Sequence, residues 1–373
     1  AASAPAVSPD SSGPTVYTFG VVGSLGAITA LQHDKATPVT GIEGKVVQIA
    51  SSNSDGYALT SAGTVWAWGA AAHGELGNGT TPGDITTAVK VDFPAGVKIT
   101  SLPNPMPFDA GLAIDSRGNV WGWGYDPWHE LCLSAFQVLR PSKLPLTDVT
   151  LATGAREHAL YYSKGTVYAC GEGTDGALGD GSTATNARPV AVTGLPSGQT
   201  VKALTSSWNG SGALMSNGSY YDWGYNAQGQ LGDGSTTGSP VPVRVSLPGT
   251  VTQVSQGGSG KTNGQTLAIL GNGSVWAWGA DASGQLGNGD TSNSEVPIQI
   301  AFPAGVTVAQ VDSGGYACYA IDTTGKLWAW GSNAYGQLGL GSGIQQQTTP
   351  TSVGIDLTQV SSTARNGVGL GNG

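Results

Sequence analysis

Charge is scarce in this chain. Asp, Glu, Lys and Arg make up 10% of its 373 residues, and 15 basic against 24 acidic side chains leave a net charge of −9. Nucleic-acid binding rests on Lys and Arg neutralising phosphates, so with no basic run or tail that partner class is disfavoured. No window of about 18 uncharged apolar residues occurs, so neither a spanning helix nor membrane insertion is expected. The four histidines, His33, His73, His129 and His158, show no HExxH or HxH spacing, and no GxSxG elbow is present. No metal, no cofactor and no catalytic residue is therefore assigned. Three cysteines, Cys132, Cys170 and Cys318, form no CxxC and allow at most one internal disulfide. Cys132 and Cys170 lie in consecutive repeats and could pair. The place of Cys170 in a slot that other copies fill with Trp or Phe favours instead a buried reduced thiol. Sustained helical periodicity is missing as well.

What the chain has in abundance is glycine and tryptophan, 60 and 11 residues, with 39% hydrophobic side chains. The two are organised by repetition. VWAWGADASGQLGNG from Val275 returns in near copies from Val65, Val167, Tyr220 and Leu327, and its anchor glycine recurs at Gly20, Gly69, Gly124, Gly171, Gly224, Gly279 and Gly331. These seven copies are spaced 47 to 55 residues apart. A period of that size signals a propeller or another repeat array, with length variation confined to loops. Each copy reads as four short strands, clearest from Lys45: KVVQIAS, YALT, VWAWG after a Ser-Ala-Gly turn, and AVKVDF. The expected fold is all-β, a seven-bladed β-propeller of four-stranded antiparallel blades. Val16 to Gly20 has no strand pair before it and the C-terminal strands have no third strand after them, so pairing the two ends should close the ring. Residues 1–14 read as a flexible lead segment and 15–373 as a single propeller domain. The start AASAPAVSPDSSGP is like that of a mature exported protein, so secretion is expected.

The WxWGxNxxGQLGxG pattern, with its apolar strands and Gly hairpins, resembles the regulator of chromosome condensation repeat family. The resemblance covers roughly Val16 to Gly373. It implies the propeller fold and leaves function open, since the family includes a nucleotide-exchange factor, ubiquitin-ligase modules and secreted bacterial propellers that inhibit β-lactamases. In acidity and apparent export the chain is nearest in character to the last group.

In a four-stranded meander the first-to-second and third-to-fourth loops emerge on one face of the ring. Variable residues there are the candidate binding face: Asp55, Tyr57, Phe108, Asp109, Arg156, His158, Trp208, Asn209, Lys261, Tyr316 and Arg365 from the first set, and Trp128 and His129 from the second. Aromatic and Arg side chains on a rigid ring are what interface hot spots consist of. Trp66, Trp68, Trp121, Trp123, Trp276, Trp278, Trp328 and Trp330 lie in the repeated strand and are expected to pack between blades. Asp281 and its equivalents stay candidates within the repeat itself. In the third copy YDPWHELCLSAF replaces the usual loop, either remodelled to present a surface or changed by drift that packing absorbs. The expected role is a non-enzymatic, monomeric propeller that binds a protein and inhibits an extracellular enzyme. Alternatives are a ring that binds or degrades polysaccharide, in which Asp55, Asp109, Arg156 and His158 would converge in one pocket, and a structural adhesion module.

Overall fold

Alternating apolar residues and glycine turns build one supersecondary unit many times over. The computed structural model describes residues 13–21, 32–341 and 343–371, so most of the lead segment lies outside the described residues. In the first blade, strands Val46–Ser51, Asp55–Thr60, Val65–Gly69 and Ile85–Lys90 pair in that order as an antiparallel meander. Residues 99–143, 149–191, 201–244 and 251–300 form four more such sheets. The remaining strands join in a seven-stranded sheet. Within it, strand Gln346–Ser362 pairs with Lys326–Ser332 as far as Asp356 and with Asn366–Gly371 from Leu357 onward. One long strand is thus the outer edge of the sixth blade and the inner edge of the seventh. Val16–Val21 and Gln32–Pro38 complete the seventh, with Val16 opposite Leu370 and Gly20 opposite Asn366. This is the closure expected from the orphan strands at the two ends.

The second strand of every blade is buried along its whole length, because it has strands on both edges and a neighbouring blade on each face. The third strand supplies the large side chains between blades: Trp68, Trp123, Trp223, Trp278 and Trp330 are each at most 1% exposed. Three of these indoles also donate to a main-chain carbonyl in the loop of the preceding blade, Trp123 Nε1 to Glu75 O at 2.8 Å, Trp223 to Ala177 O at 2.9 Å and Trp330 to Gln285 O at 2.8 Å. The loop glycine beside each carbonyl makes room for the ring. At Gly287, whose φ is 68°, an added Cβ would come within 2.8 Å of Trp330 Nε1.

Between the second and third blades this contact is replaced by a covalent one. Cys132 stands in the slot of Gly287 and Cys170 in the slot of Trp330, and the two form a disulfide with a Cα–Cα distance of 5.5 Å. The reduced thiol favoured for Cys170 is therefore corrected: the slot is indeed buried, but its neighbour is the one loop position where Gly has become Cys. Tyr161 fills the volume the missing indole leaves, and its hydroxyl donates to Glu130 O at 2.9 Å. Cys318 is the free, buried thiol.

A second set of ties runs along the inner strands. Gln48, Gln253 and Gln359 each hold the next blade with both ends of the amide: Gln48 bonds the Leu102 carbonyl and amide at 2.6 and 2.9 Å, Gln253 those of Val311 at 3.2 and 3.0 Å. Gln359 donates to Val47 O at 2.8 Å and accepts from Ile49 N at 3.1 Å, which ties the seventh blade to the first.

The loop after the third strand is anchored by one amide side chain. Asn226 Oδ1 accepts from Leu231 N at 2.8 Å while its Nδ2 donates to the Ser235 and Thr237 carbonyls at 3.0 Å each, and Asn333 repeats the arrangement. In the fifth blade the residue is Asp281, whose Oδ1 accepts from Leu286 N at 2.8 Å but whose buried Oδ2 meets no donor. Asp281 is thus a buried loop anchor and not a residue of the exposed face. Burial pushes its carboxyl up to about 7. Unfolded, it titrates near its ordinary value of about 4. Stability tied to this carboxyl is therefore fully present below about pH 4 and falls as pH rises towards 7. Asp281→Asn is expected to raise stability at pH 8 by about 2 kcal/mol, with the two proteins melting nearly together at pH 4. Thermal melts at the two pH values check this.

Candidate functional site

The first-to-second loops converge at the mouth of the ring, as their place in the meander requires. The residues at its floor are small: Gly154, Ser206, Gly257, Gly258, Ser313 and Gly314 are among those lining it. The recess itself holds only about 50 Å³. Segment 103–109, the Pro-rich loop of the second blade, helps to close it. Its backbone bonds to both flanking blades, Met106 N to Ser51 O at 3.1 Å on one side and Gly154 N to Pro105 O at 3.0 Å on the other. Asn104 reaches further round the ring, accepting from Ser361 Oγ at 2.7 Å, while Ser362 Oγ donates to Asp312.

The same segment holds up Phe108, and with it the most conspicuous cluster of the face. Phe108 and Trp208 meet edge to face with centroids 6.0 Å apart. The Arg156 guanidinium lies 3.7 Å over the Trp208 ring and 5.2 Å from that of Phe108, with its Nε 4.0 Å from Glu157 Oε1. All three side chains remain partly exposed. Further round the rim Lys261 pairs with Asp175 at 2.8 Å and lies 5.3 Å over Tyr225, and Arg365 lies 5.2 Å over Tyr335. Tyr316 is half-buried. Trp128 is 39% exposed on the outer side of the cluster, while His129 takes a φ of 64° in a slot glycine fills elsewhere, bonds Leu133 O at 3.1 Å and faces Phe136.

Four of the expected face residues are not presented. Tyr57 is fully buried with its hydroxyl donating to Glu75 O at 3.0 Å, and Asp55 beside it is fully buried too. His158 is fully buried and its Nε2 meets Ser211 Oγ at 2.7 Å in the next blade. Asn209 is 7% exposed and its Nδ2 donates to Asp175 Oδ2 at 2.7 Å. Asp55, Tyr57 and His158 belong to second strands, so their side chains enter the blade interfaces instead of the loop face. The convergence of Asp55, Asp109, Arg156 and His158 in one open pocket does not occur. Burial holds the imidazole of His158 down at about 4, so it stays neutral.

The carboxyls under the face are set by crowding. Asp109 is raised to about 6 by burial and then by the nearby charge of Glu75. Glu157 is raised to about 7 by burial and then by Glu172, with Arg156 opposing the shift. Glu130, which sequence reasoning missed, is raised well above the usual range by burial and by Asp126. Its signal was present, since Glu130 occupies the Gln position of the GQLG motif.

The regulator of chromosome condensation (RCC1) repeat is matched by residues 164–214, 217–260, 272–321 and 324–365, and a second form of it by 308–337. The chain belongs to the RCC1 repeat family. The RCC1 domain-containing protein RUG3, mitochondrial, of Arabidopsis thaliana is 31% identical over 79% of this chain and 67% of its own length. The ultraviolet-B receptor UVR8 of the same plant is 26% identical over 88% and 74%. The human E3 ubiquitin-protein ligase HERC2 is 28% identical over 80% of this chain, which is only 5% of that protein. Among solved RCC1 propellers, yeast RCC1 (Prp20) bound to Kap60 superposes with a TM-score of 0.80 at 19% identity, covering 97% of this chain and 90% of that one. Human WBSCR16 superposes with a TM-score of 0.82 at 20% identity, covering 96% and 99%. At that identity the superpositions establish the RCC1 fold and leave the chemistry of the face to this chain's own residues.

Proposed function

We propose that this RCC1-repeat propeller is a secreted, non-enzymatic protein that binds another protein through the mouth face, with inhibition of an extracellular enzyme as the sharpest form of that role. The observation that carries it is the Phe108–Trp208–Arg156 cluster, a rigid, partly exposed aromatic and guanidinium patch beside a floor of small residues. Hot spots are rich in these side chains. The recess at the mouth is an open one of about 50 Å³, whereas small-molecule sites commonly need about 300 Å³ or more. A broad partner laid over the face suits such a surface better than a substrate held within it. Protein binding also fits the relatives: yeast Prp20 is solved bound to Kap60 and described as binding Gsp1p and histones. A disulfide between blades supports an oxidising compartment.

The test is affinity capture of extracellular proteins on the immobilised chain, followed by calorimetry with the purified partner. Arg156→Ala combined with Trp208→Ala is expected to weaken binding at least about tenfold, in keeping with hot-spot truncations. Val296→Ser, on an outer strand, leaves it unchanged. Equal binding by the double variant would remove the face from the proposal.

A further inference from the structure

Beside the Phe108–Trp208–Arg156 cluster lies a separate pocket of about 190 Å³, walled by Asp109, Tyr125, Pro127, Trp128, Glu130 and Arg156. Its components are unlike those of the mouth floor. Two aromatic rings and a proline form the sides. One face of Tyr125 is covered by the His73 ring, stacked at 4.8 Å with the planes 29° apart, so Tyr125 is held in place from behind. Trp128 stands at the rim with 39% of its surface exposed. Asp109 is the acidic group of the wall that has no partner: among the described residues its carboxylate receives no hydrogen bond and pairs with no cation, and only longer-range charges act on it. Glu130, 1% exposed, interacts closely with Asp126 and is held towards its neutral form. The charge of Arg156 is already engaged, by the Trp208 ring at 3.7 Å and by Glu157 at 4.0 Å.

A half-buried carboxylate without a donor, set between two aromatic walls, has the chemistry that binds an organic cation: the rings attract the charge through their faces and the carboxylate neutralises it. We propose that this pocket takes the cationic head of a lysine or arginine side chain, with Asp109 as its counter-ion and Tyr125 and Trp128 as its walls. The assignment to a side chain of a partner rests on the reading that the face binds a protein. The pocket is large enough for one such side chain and too small for a longer segment, so it is a specificity pocket next to the aromatic anchor and not a second interface.

The probes are Nα-acetyl-lysine N-methylamide and its arginine counterpart, titrated into the whole chain while the indole N–H resonance of Trp128 is followed by NMR. Nα-acetyl-norleucine N-methylamide, matched in length and uncharged, is the control. Saturable shifts are expected with millimolar affinity for the cationic probes and at least about tenfold weaker binding of norleucine, a discrimination on the scale of one charge-assisted contact. Asp109→Asn should weaken the cationic probes about tenfold while its melting temperature stays at or above that of the native chain, since the change removes the cost of burying the charge and its repulsion with Glu75. Arg156→Gln should strengthen them, because it removes the like charge from the wall; mere structural damage would not. Equal binding of norleucine, or an Asp109→Asn variant that binds the cations as before, would overturn the proposal. Because the probes are small, they test the pocket apart from the partner: probe binding by the native chain without loss of capture in the Arg156→Ala, Trp208→Ala variant refutes the protein-binding face, and capture without probe binding refutes the pocket.

Discussion

Trp330→Ala is expected to destabilise the protein by about 4 kcal/mol, the size seen when a fully buried large aromatic is truncated in a core that cannot collapse. The side chain is 0% exposed, makes edge contact with Phe302 at 5.9 Å between centroids, and ties the sixth blade to the Gln285 carbonyl of the fifth. Trp330→Phe separates the two contributions. It keeps most of the volume but leaves the buried carbonyl without its donor, so a smaller loss of about 1 to 2 kcal/mol is expected. Trp276, partly exposed and bonded among the described residues only to Ser274 of its own hairpin at 2.9 Å, is the control, and its truncation should cost much less. Differential scanning calorimetry reads all three. A Trp330→Ala melting temperature within a degree of the native one would contradict the role given to the slot.

The second large effect is at the disulfide. Opening the link between Cys132 and Cys170, 38 residues apart, is expected to cost about 4 kcal/mol on the chain-entropy account. The second-to-third interface lacks two of the side-chain ties found between other blades. It carries Cys170 where three other blades carry a bonded indole, and Ser101 stands on the inner strand of the second blade where Gln48 makes its clasp in the first. The Tyr161–Glu130 bond, the packing of Tyr161 and the main-chain bonds from Gly154 N to Pro105 O and from Phe108 N to Ala155 O remain. A Cys132→Ser, Cys170→Ser double variant should therefore melt well below the native chain, and a reductant should lower the native melting temperature to that of the variant without moving the variant itself. A native protein indifferent to reductant in the unfolded range would show that the bond adds nothing to the ring.

Much of this architecture was legible in the sequence because it repeats. The anchor glycines located the blades, the unmatched strand at Val16 foretold the closure with Asn366–Gly371, and the leucines of the GQLG motif, such as Leu231 and Leu286, are fully buried as plugs. The face was legible only in part. Arg156, Trp208 and Phe108 do come together, but a single sequence does not mark where a loop ends and a strand begins, and Asp55, Tyr57 and His158 fall on the strand side. One or two residues of register turn a presented side chain into an interface one. The disulfide was hidden for a different reason: each cysteine replaces a residue of a contact pair, Gly and Trp, that can be recognised as a pair only once the blades are seen side by side. The glutamines at 48, 253, 310 and 359 recur at one position of the first strand, so the inner clasp too is written in the sequence as a repeat.

The indole ties end on main-chain oxygens, and that has an evolutionary consequence. The acceptors belong to Glu75, Ala177 and Gln285, three side chains with nothing in common, because each offers the same carbonyl. An acidic, an aliphatic and an amide residue at that position supply the weld alike, while the indoles of Trp68 and Trp278 pack in the same slot without it. Selection acting on the loops can therefore change size, charge and polarity a few atoms from the joint between blades without loosening it, and a propeller of this kind can acquire new partners while its ring stays the same.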